Sequence, residues 1–192
     1  MKKLGKIDFE LNEAYKKVLY WFFSYPNLET SLNELTESLK ISKNTAKQIV
    51  ERLVKEGFLS KKVYGKTWRI TNNLSHEYNY SEKISFNLSL VYSAYFNKIK
   101  KEILNLIENP QSVILFGSYR KGDDNENSDI DLAVEVLGEE NLQIIELGKI
   151  DLGYRKNVPV NLHVFSRSNI DINLFSNIAN GIVIEGFLEV KP

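Results

Sequence analysis

A glycine–serine pair and two carboxylates lie close together in the second half of the sequence. Gly117 and Ser118 follow the apolar run 112–116, and after ten further residues Asp129 and Asp131 flank an isoleucine at the start of a second apolar run. Both runs have the length and β-branched content of buried strands. Because alternate residues of a strand face the same side, the two carboxylates are predicted to project together.

These residue types suit a metal ion and a phosphate group. Carboxylate oxygens are hard ligands that favour Mg²⁺, with Mn²⁺ as the alternative ion. A glycine at position 117 lets a phosphate approach the backbone, and the Ser118 hydroxyl with neighbouring N–H groups can hold phosphate oxygens. The sequence therefore predicts that Asp129 and Asp131 bind metal and that Gly117 and Ser118 bind nucleotide phosphates. A calcium-type acidic loop or a solvated surface turn is the alternative.

The combined motif resembles the minimal nucleotidyltransferases of the polymerase-beta superfamily, over about residues 93–190. Leu115 and Phe116 precede the glycine–serine pair, and Gly122 and Ser128 fall at the places usual in that family. The resemblance implies a mixed sheet flanked by helices. It also implies that the two aspartates are catalytic and that Mg²⁺ positions an NTP for in-line attack on its α-phosphate, with release of pyrophosphate.

Three later segments fit the implied sheet. Alternation over 158–165 predicts a strand, which Pro159 restricts to a strand start or a sheet edge. Residues 172–178 are predicted to be helical, and residues 181–186 resemble the short closing strand of the family.

The position of the family's third carboxylate departs from the pattern. On the predicted strand 158–165 that position is Asn161, whose amide oxygen can bind Mg²⁺ weakly but cannot take a proton at neutral pH. Asn161 is therefore a further candidate metal ligand, and turnover stays open. His163 shares its face and is either a base or ligand, or an ordinary half-buried strand histidine. With a different alignment, Asp151 or Asp171 would contribute instead.

The charge distribution divides the chain in two. Residues 1–75 carry 14 Lys and Arg against 8 Asp and Glu, whereas residues 76–192 carry 11 against 17. A basic half suggests a polyanionic partner, and a split of this kind suggests two domains. We expect a first domain at 1–75, a polar linker at 76–92 and a nucleotidyltransferase-like domain at 93–192.

The basic half has the pattern of three helices and a hairpin. Helical spacing begins at Leu11 and ends before Pro26, and Ser31 and Ser42 are predicted N-caps of a second and a third helix. Two short strands are expected within 58–70. This order resembles a winged helix-turn-helix domain, so the fold class is predicted as α+β with an N-terminal winged helix and a C-terminal mixed sheet.

In winged helices the third helix enters the major groove and the hairpin contacts the DNA backbone. The resemblance therefore implies double-stranded DNA as a partner, contacted by side chains of the third helix and the hairpin: Lys43, Asn44, Lys47, Gln48, Lys61, Lys62, Lys66 and Arg69. A protein-binding or dimerisation module is the alternative. A homodimer is also open, because proteins that bind palindromes are often dimers.

Composition excludes several other classes. The chain has no cysteine, so disulfide frameworks and thiolate metal sites are excluded. No stretch approaches about 18 uncharged apolar residues and the start lacks the apolar run of a signal peptide, so a cytoplasmic protein without membrane contact is expected.

Two functions remain from the sequence. In the first, the chain is a Mg²⁺-dependent nucleotidyltransferase whose winged helix recruits it to nucleic acid. In the second, it is a DNA-binding regulator whose weakened transferase domain senses a nucleotide. Minimal nucleotidyltransferases resemble antitoxins paired with a small helical toxin, so a protein acceptor or partner of that kind is a third expectation.

Overall fold

The computed structural model describes residues 13–190, so Leu11, where the predicted first helix begins, lies outside the described residues. The chain divides into two compact units. Unit 1 takes the described residues up to Phe22 and residues 27–73, and unit 2 takes residues 23–26 and those from Leu74 onward. Within the described part, no helix is both long and apolar enough to cross a membrane.

Unit 1 contains three helices followed by an antiparallel hairpin. Its elements are α1 (Glu13–Ser24, whose last two residues count with unit 2), α2 (Leu32–Leu39), α3 (Lys43–Lys55), β1 (Leu59–Tyr64) and β2 (Thr67–Asn72). The two predicted caps are confirmed. The Ser31 hydroxyl accepts from the Glu34 N–H at 3.2 Å while the Glu34 carboxylate accepts from the Ser31 N–H at 2.7 Å, and Ser42 accepts from the Thr45 N–H at 3.1 Å.

Unit 2 is built on a five-stranded mixed sheet. The strands are β3 (Ser112–Phe116), β4 (Ile130–Glu135), β5 (Gln143–Leu152), β6 (Arg155–Phe165) and β7 (Ile182–Gly186), in the order β5-β6-β4-β3-β7. Only β4 and β6 pair in parallel, and the other neighbours are antiparallel. The predicted mixed sheet and the predicted strands at 158–165 and 181–186 are thus confirmed.

Helices cover both faces of this sheet. They are α4 (Glu82–Ala94), α5 (Lys100–Leu106), α6 (Gly117–Lys121) and α7 (Ile172–Ala179), with a single π-type turn (Tyr95–Ile99) joining α4 to α5. One core lies under α4 and α5 and contains Tyr95 and Leu132; the other lies under α7 and contains Ile114 and Ile178. Asp131 and His163 lie on the same face of the sheet as the core under α7, next to the part of that face that α7 covers.

The linker predicted at 76–92 is wrong in its local structure. Residues Glu77–Asn79 form a 3₁₀ turn and α4 begins at Glu82. Helical periodicity was hidden because the buried face of α4 carries the polar residues Lys83 and Asn87 beside Val91. The segment is therefore part of unit 2 and packs against its sheet.

The π-type turn also moves the apolar face of the following helix. Phe96 and Leu106 are exposed, whereas Tyr95 is buried. A π-turn adds a residue to one helical turn, so positions after it no longer continue the face that precedes it.

Pro159 lies inside β6 and not at its start, in the stretch of the strand that pairs with β5 alone. It is opposite Lys149 of β5, whereas the pairing of β6 with β4 begins one residue later, at Val160. The missing N–H therefore falls where β6 has only one partner strand. This position satisfies the constraint that proline imposes on a sheet.

Candidate active site

The two aspartates lie at the start of β4. Asp129 immediately precedes the strand and Asp131 is its second residue, and both side chains are half-buried. Ile130 and Leu132 are fully buried in the opposite core. The alternation predicted from the sequence thus directs the two carboxylates away from the packed face.

Gly117 is in contact range of one of these carboxylates. Its φ is +73°, and a Cβ at this position would lie 2.5 Å from Oδ2 of Asp131. A side chain is excluded both by the left-handed backbone and by the carboxylate. Ser118 follows in the first turn of α6, where its hydroxyl has no hydrogen-bond partner among the described residues and is available to a ligand.

Asn161 and His163 are brought to the aspartates by the parallel pairing of β4 with β6. Asp131 is opposite Asn161, and His163, two residues further along β6, is opposite Ala133. The Asn161 amide donates to Oδ2 of Asp129, and Nε2 of His163 lies 3.3 Å from Oδ1 of Asp131. Each carboxylate thus has one neighbour from β6, the Asn161 amide or the His163 imidazole. In the described part of the chain, Nδ1 of His163 is buried without a hydrogen-bond partner.

The alternative third carboxylates are not at this place. Asp151 is exposed and accepts from Lys156 at 2.8 Å, which lowers the pKa of its carboxyl through that hydrogen bond. Asp171 caps α7 by accepting from the N–H groups of Asn173 and Leu174.

The residues present fit a divalent cation that is shared with a triphosphate. Among residues 13–190, no three acidic or histidine side chains converge tightly enough to hold a metal by themselves. Mg²⁺, however, is commonly held by one or two carboxylates together with substrate phosphates and water. Because the Asp131 carboxylate packs against Gly117, phosphates bound by the Gly117–Ser118 turn would lie beside Asp131.

The loop between α6 and β4 is fixed by a buried polar network that the sequence analysis missed. Asp124 is 3% exposed and Lys83 of α4 is 2% exposed, and Lys83 Nζ lies 3.2 Å from Oδ1 of Asp124. Asn87 donates to the same carboxylate oxygen at 2.6 Å and to the backbone carbonyl of Tyr119 at 3.2 Å. One helix therefore anchors both the loop and the end of α6.

Burial governs the ionisation of this pair. It lowers the pKa of Lys83 and raises the pKa of Asp124, because apolar surroundings disfavour both charged forms. Mutual attraction opposes both shifts, and the Asn87 hydrogen bond opposes the shift of Asp124. The only local signal in the sequence was a lysine and an asparagine four residues apart, followed by a stretch without charged residues up to position 97.

Arg155 supports the other end of the loop. Its guanidinium donates to the Ser128 carbonyl at 2.5 Å, to the Glu126 carbonyl at 3.1 Å and to the Tyr119 hydroxyl. Because Ser128 directly precedes Asp129, this contact fixes the backbone that carries the first aspartate.

In unit 1, some of the predicted DNA-contacting side chains gather around Trp68. Lys61 Nζ lies 3.9 Å and Lys47 Nζ 5.9 Å from the centroid of the Trp68 ring. Lys43, Lys47 and Lys66 line a cavity of about 220 Å³ with the same tryptophan. These four lysines therefore form one basic surface, which we call the Trp68 surface.

The remaining predicted DNA contacts lie elsewhere. Asn44 and Gln48 are exposed on α3. Lys62 and Arg69 are cross-strand partners on the hairpin face opposite Lys61, and Arg69 forms an ion pair with Glu29 at 3.0 Å. The hairpin thus presents two basic faces, not one.

Removing the buried cation beneath the loop should destabilise unit 2. The Lys83→Met variant is expected to lose about 3–5 kcal/mol of unfolding free energy, because Asp124 is left buried without its ionic partner. Urea unfolding followed by far-UV circular dichroism measures the change. Lys101→Met, at an exposed position, is the control, and equal stability of the two variants would refute the structural role of the pair.

Adding a methyl group at position 117 should weaken nucleotide binding. In Gly117→Ala the new Cβ would collide with the Asp131 carboxylate, so the affinity for Mn²⁺–NTP, measured by calorimetry, is expected to fall about 10-fold or more. Gly65→Ala is the matched control: φ there is +59°, yet no atom lies within 4 Å of the added Cβ. Equal affinities for both variants would show that the contact does not matter.

Comparison with known proteins supports the assignment of the second half of the chain. No curated protein matches the sequence. Residues 97–185 match the family model described as Polymerase beta, Nucleotidyltransferase. The matched segment begins within the π-type turn and contains the Gly117–Ser118 pair, both aspartates and strands β3 to β6. It supports a nucleotidyltransferase domain over these residues.

Proposed function

We propose that the protein is a Mg²⁺-dependent nucleotidyltransferase that moves an NMP group from an NTP to a hydroxyl of a protein or nucleic acid. The observation that carries the proposal is the contact between Gly117 and Asp131, which joins the phosphate-binding turn to the metal-binding carboxylates. The family match over residues 97–185 supports the same reaction class.

The chain's own residues have separable tasks in this reaction. Gly117 and Ser118 hold the β- and γ-phosphates beside β3, while Asp129 and Asp131 would hold the divalent cation. A bound divalent cation would supply charge stabilisation at the α-phosphate and the leaving pyrophosphate. The buried network under residues 122–128 keeps these groups in place, which matters because such transfer depends almost entirely on positioning and electrostatics.

The second candidate function is a DNA-binding, antitoxin-like regulator that senses a nucleotide without turnover. The observation that favours it is Asn161, which donates a hydrogen bond to Asp129 where the family carries a carboxylate. A regulator of this kind would pair with a small helical protein partner. It would retain nucleotide binding and lose transfer.

We also propose that unit 1 is a winged helix that binds double-stranded DNA. Its order of three helices and a hairpin and the four lysines of the Trp68 surface support this proposal. Lysines neutralise backbone phosphates, and Asn44 and Gln48 are placed on the same helix to contact base edges. A homodimer on a palindromic site is consistent with this mode of binding.

Transfer is tested with NTPs radiolabelled at the α-phosphate, in the presence of Mn²⁺, a tRNA pool and serine- and tyrosine-containing peptides. Label should appear on one acceptor class, and Asp129→Asn or Asp131→Asn should reduce it by about 10²-fold or more, because charge stabilisation at the phosphate is lost. Glu108→Gln, an exposed change outside the site, should have no effect. If wild-type protein transfers no label but an NTP still raises its melting temperature, the regulator is correct and the enzyme is not.

DNA binding is tested by the salt dependence of duplex affinity. The logarithm of the association constant should fall linearly with the logarithm of salt concentration, and the Lys43→Ala/Lys47→Ala variant should reduce that slope by about 2. Lys101→Ala, which removes one exposed lysine of unit 2, is the control and should leave the slope unchanged. A flat salt response of the wild-type chain would contradict the DNA-binding proposal.

A further inference from the structure

Glu146 lies on the same face of the sheet as the candidate site, although it is remote from the site in sequence. In the register of the sheet, Glu146 of β5 is opposite Asn161, Asn161 is opposite Asp131, and Asp131 is opposite Phe116. Residues directly opposite each other in neighbouring strands project to the same face. The neighbours of Glu146 in β5, Ile145 and Leu147, pack against the core on the other face, as this alternation requires.

The Glu146 carboxylate is also unengaged. Among the acidic residues of the described strands, each of the others has a side-chain partner: Asp131 contacts His163, Glu135 pairs with Arg167, Asp151 pairs with Lys156, and Glu185 pairs with Lys100. Glu146 is exposed and forms no hydrogen bond or ion pair with any described residue. A carboxylate without a structural partner is available to a ligand.

The strand order places Glu146 where an acceptor must enter. The phosphates are held at Gly117, at the end of β3, and the sheet then continues through β4 and β6 to β5. In an in-line displacement, the attacking and leaving oxygens lie on opposite sides of the phosphorus. With the leaving pyrophosphate on the β3 side of Asp131, the acceptor hydroxyl approaches from the side of Asn161 and Glu146.

The distances suit a group that acts on the acceptor and not on the metal. Strands are about 4.8 Å apart, so the Cα of Glu146 lies about 10 Å from that of Asp131, with β6 between them. This separation agrees with the lack of a three-residue metal cluster in the described part of the chain. A glutamate side chain directed over Asn161 shortens the gap by its own length.

We propose that Glu146 is the catalytic base of this protein and replaces the carboxylate that is absent at position 161. This inference rests on the proposed nucleotidyl transfer. The acceptor oxygen forms a bond to the α-phosphorus, the bond from that phosphorus to the bridging oxygen of pyrophosphate breaks, and the acceptor proton passes to the Glu146 carboxylate. An ionised carboxylate can accept this proton, whereas the Asn161 amide cannot.

The first test compares transfer with binding. In Glu146→Gln, label transfer from the radiolabelled NTP should fall about 10²–10⁴-fold, the usual effect of losing a general base. The affinity for Mn²⁺–NTP, measured by calorimetry without an acceptor, should be unchanged, because Glu146 does not hold the phosphates or the metal. Glu108→Gln, a matched change at an exposed glutamate outside this face, should alter neither quantity.

The second test restores a carboxylate at position 161 and asks whether Glu146 is then still required. Asn161→Asp restores the group usual in the family, so adding Glu146→Gln to that variant should cost much less activity than in the wild-type chain. A purely structural role of Glu146 predicts equal losses in both backgrounds. Equal losses, or weaker Mn²⁺–NTP binding in Glu146→Gln, would therefore overturn the inference.

These experiments distinguish failure of the proposed Glu146 role from failure of the proposed nucleotidyl transfer. If Glu146→Gln transfers at the wild-type rate while Asp131→Asn does not, the nucleotidyltransferase stands and Glu146 is not its base. If wild-type protein transfers no label, the proposed function fails and the role of Glu146 fails with it.

Discussion

The parallel pairing of β4 with β6 is the constraint on which the candidate site depends. One face of both strands is fully buried, with Leu132 and Leu162 side by side, so a slip of one residue would turn the core outward and Asp131 inward. Burial of branched apolar side chains therefore fixes a polar geometry on the opposite face. The contacts of Asn161 with Asp129 and of His163 with Asp131 follow from that register, as does the row that continues to Glu146 on β5.

The loop that carries the site is held by buried residues outside the site, namely Lys83, Asn87 and Asp124. Burying Lys83 and Asp124 is costly, and such pairs often contribute little to net stability. Here the pair, with Asn87, ties α4 to the turn that follows the Gly117–Ser118 motif. Since α4 precedes the segment matched by the nucleotidyltransferase family, an element outside that segment holds the loop that leads to Asp129. The buried pair therefore fixes the position of the loop, even where it adds little to net stability.

The chemistry on the site face is asymmetric in charge. The end at Gly117 is formed by backbone and a hydroxyl, the centre by two carboxylates, and the far end by an amide and the exposed Glu146. The Asn161 amide orients the Asp129 carboxylate without adding negative charge beside it. In the proposed mechanism, β6 separates the two aspartates from the proton acceptor, so an intact Asp129/Asp131 pair is compatible with Asn161. The Trp68 surface of unit 1 concentrates positive charge on a chain whose formal net charge is zero.

The sequence alone determined the features that arise within one element or one turn. Caps at Ser31 and Ser42, the strand that ends at Gly117 and the alternation of Asp129 with Asp131 all depend on neighbours within a few residues, so local spacing was enough to predict them. Tertiary structure decided what depends on pairing between distant segments. Lys83 meets Asp124 across 41 residues. Polar side chains there obscured α4 inside the expected linker at 76–92, because sequence periodicity cannot show that a lysine is buried against its partner.

The same division explains the third carboxylate. The motif placed Asn161 at the position of the third carboxylate. A different alignment offered Asp151 or Asp171 in its place, because the sequence shows only which residues lie near that position along the chain. The structure instead offers Glu146, whose place is set by the register of the edge strand β5 and by its bulge near Gly148. That register depends on which side chains of β5 pack against the core, a long-range property. The spacing of Asp129 and Asp131 was thus determined by local sequence, whereas the position of Glu146 on the same face was decided by the sheet.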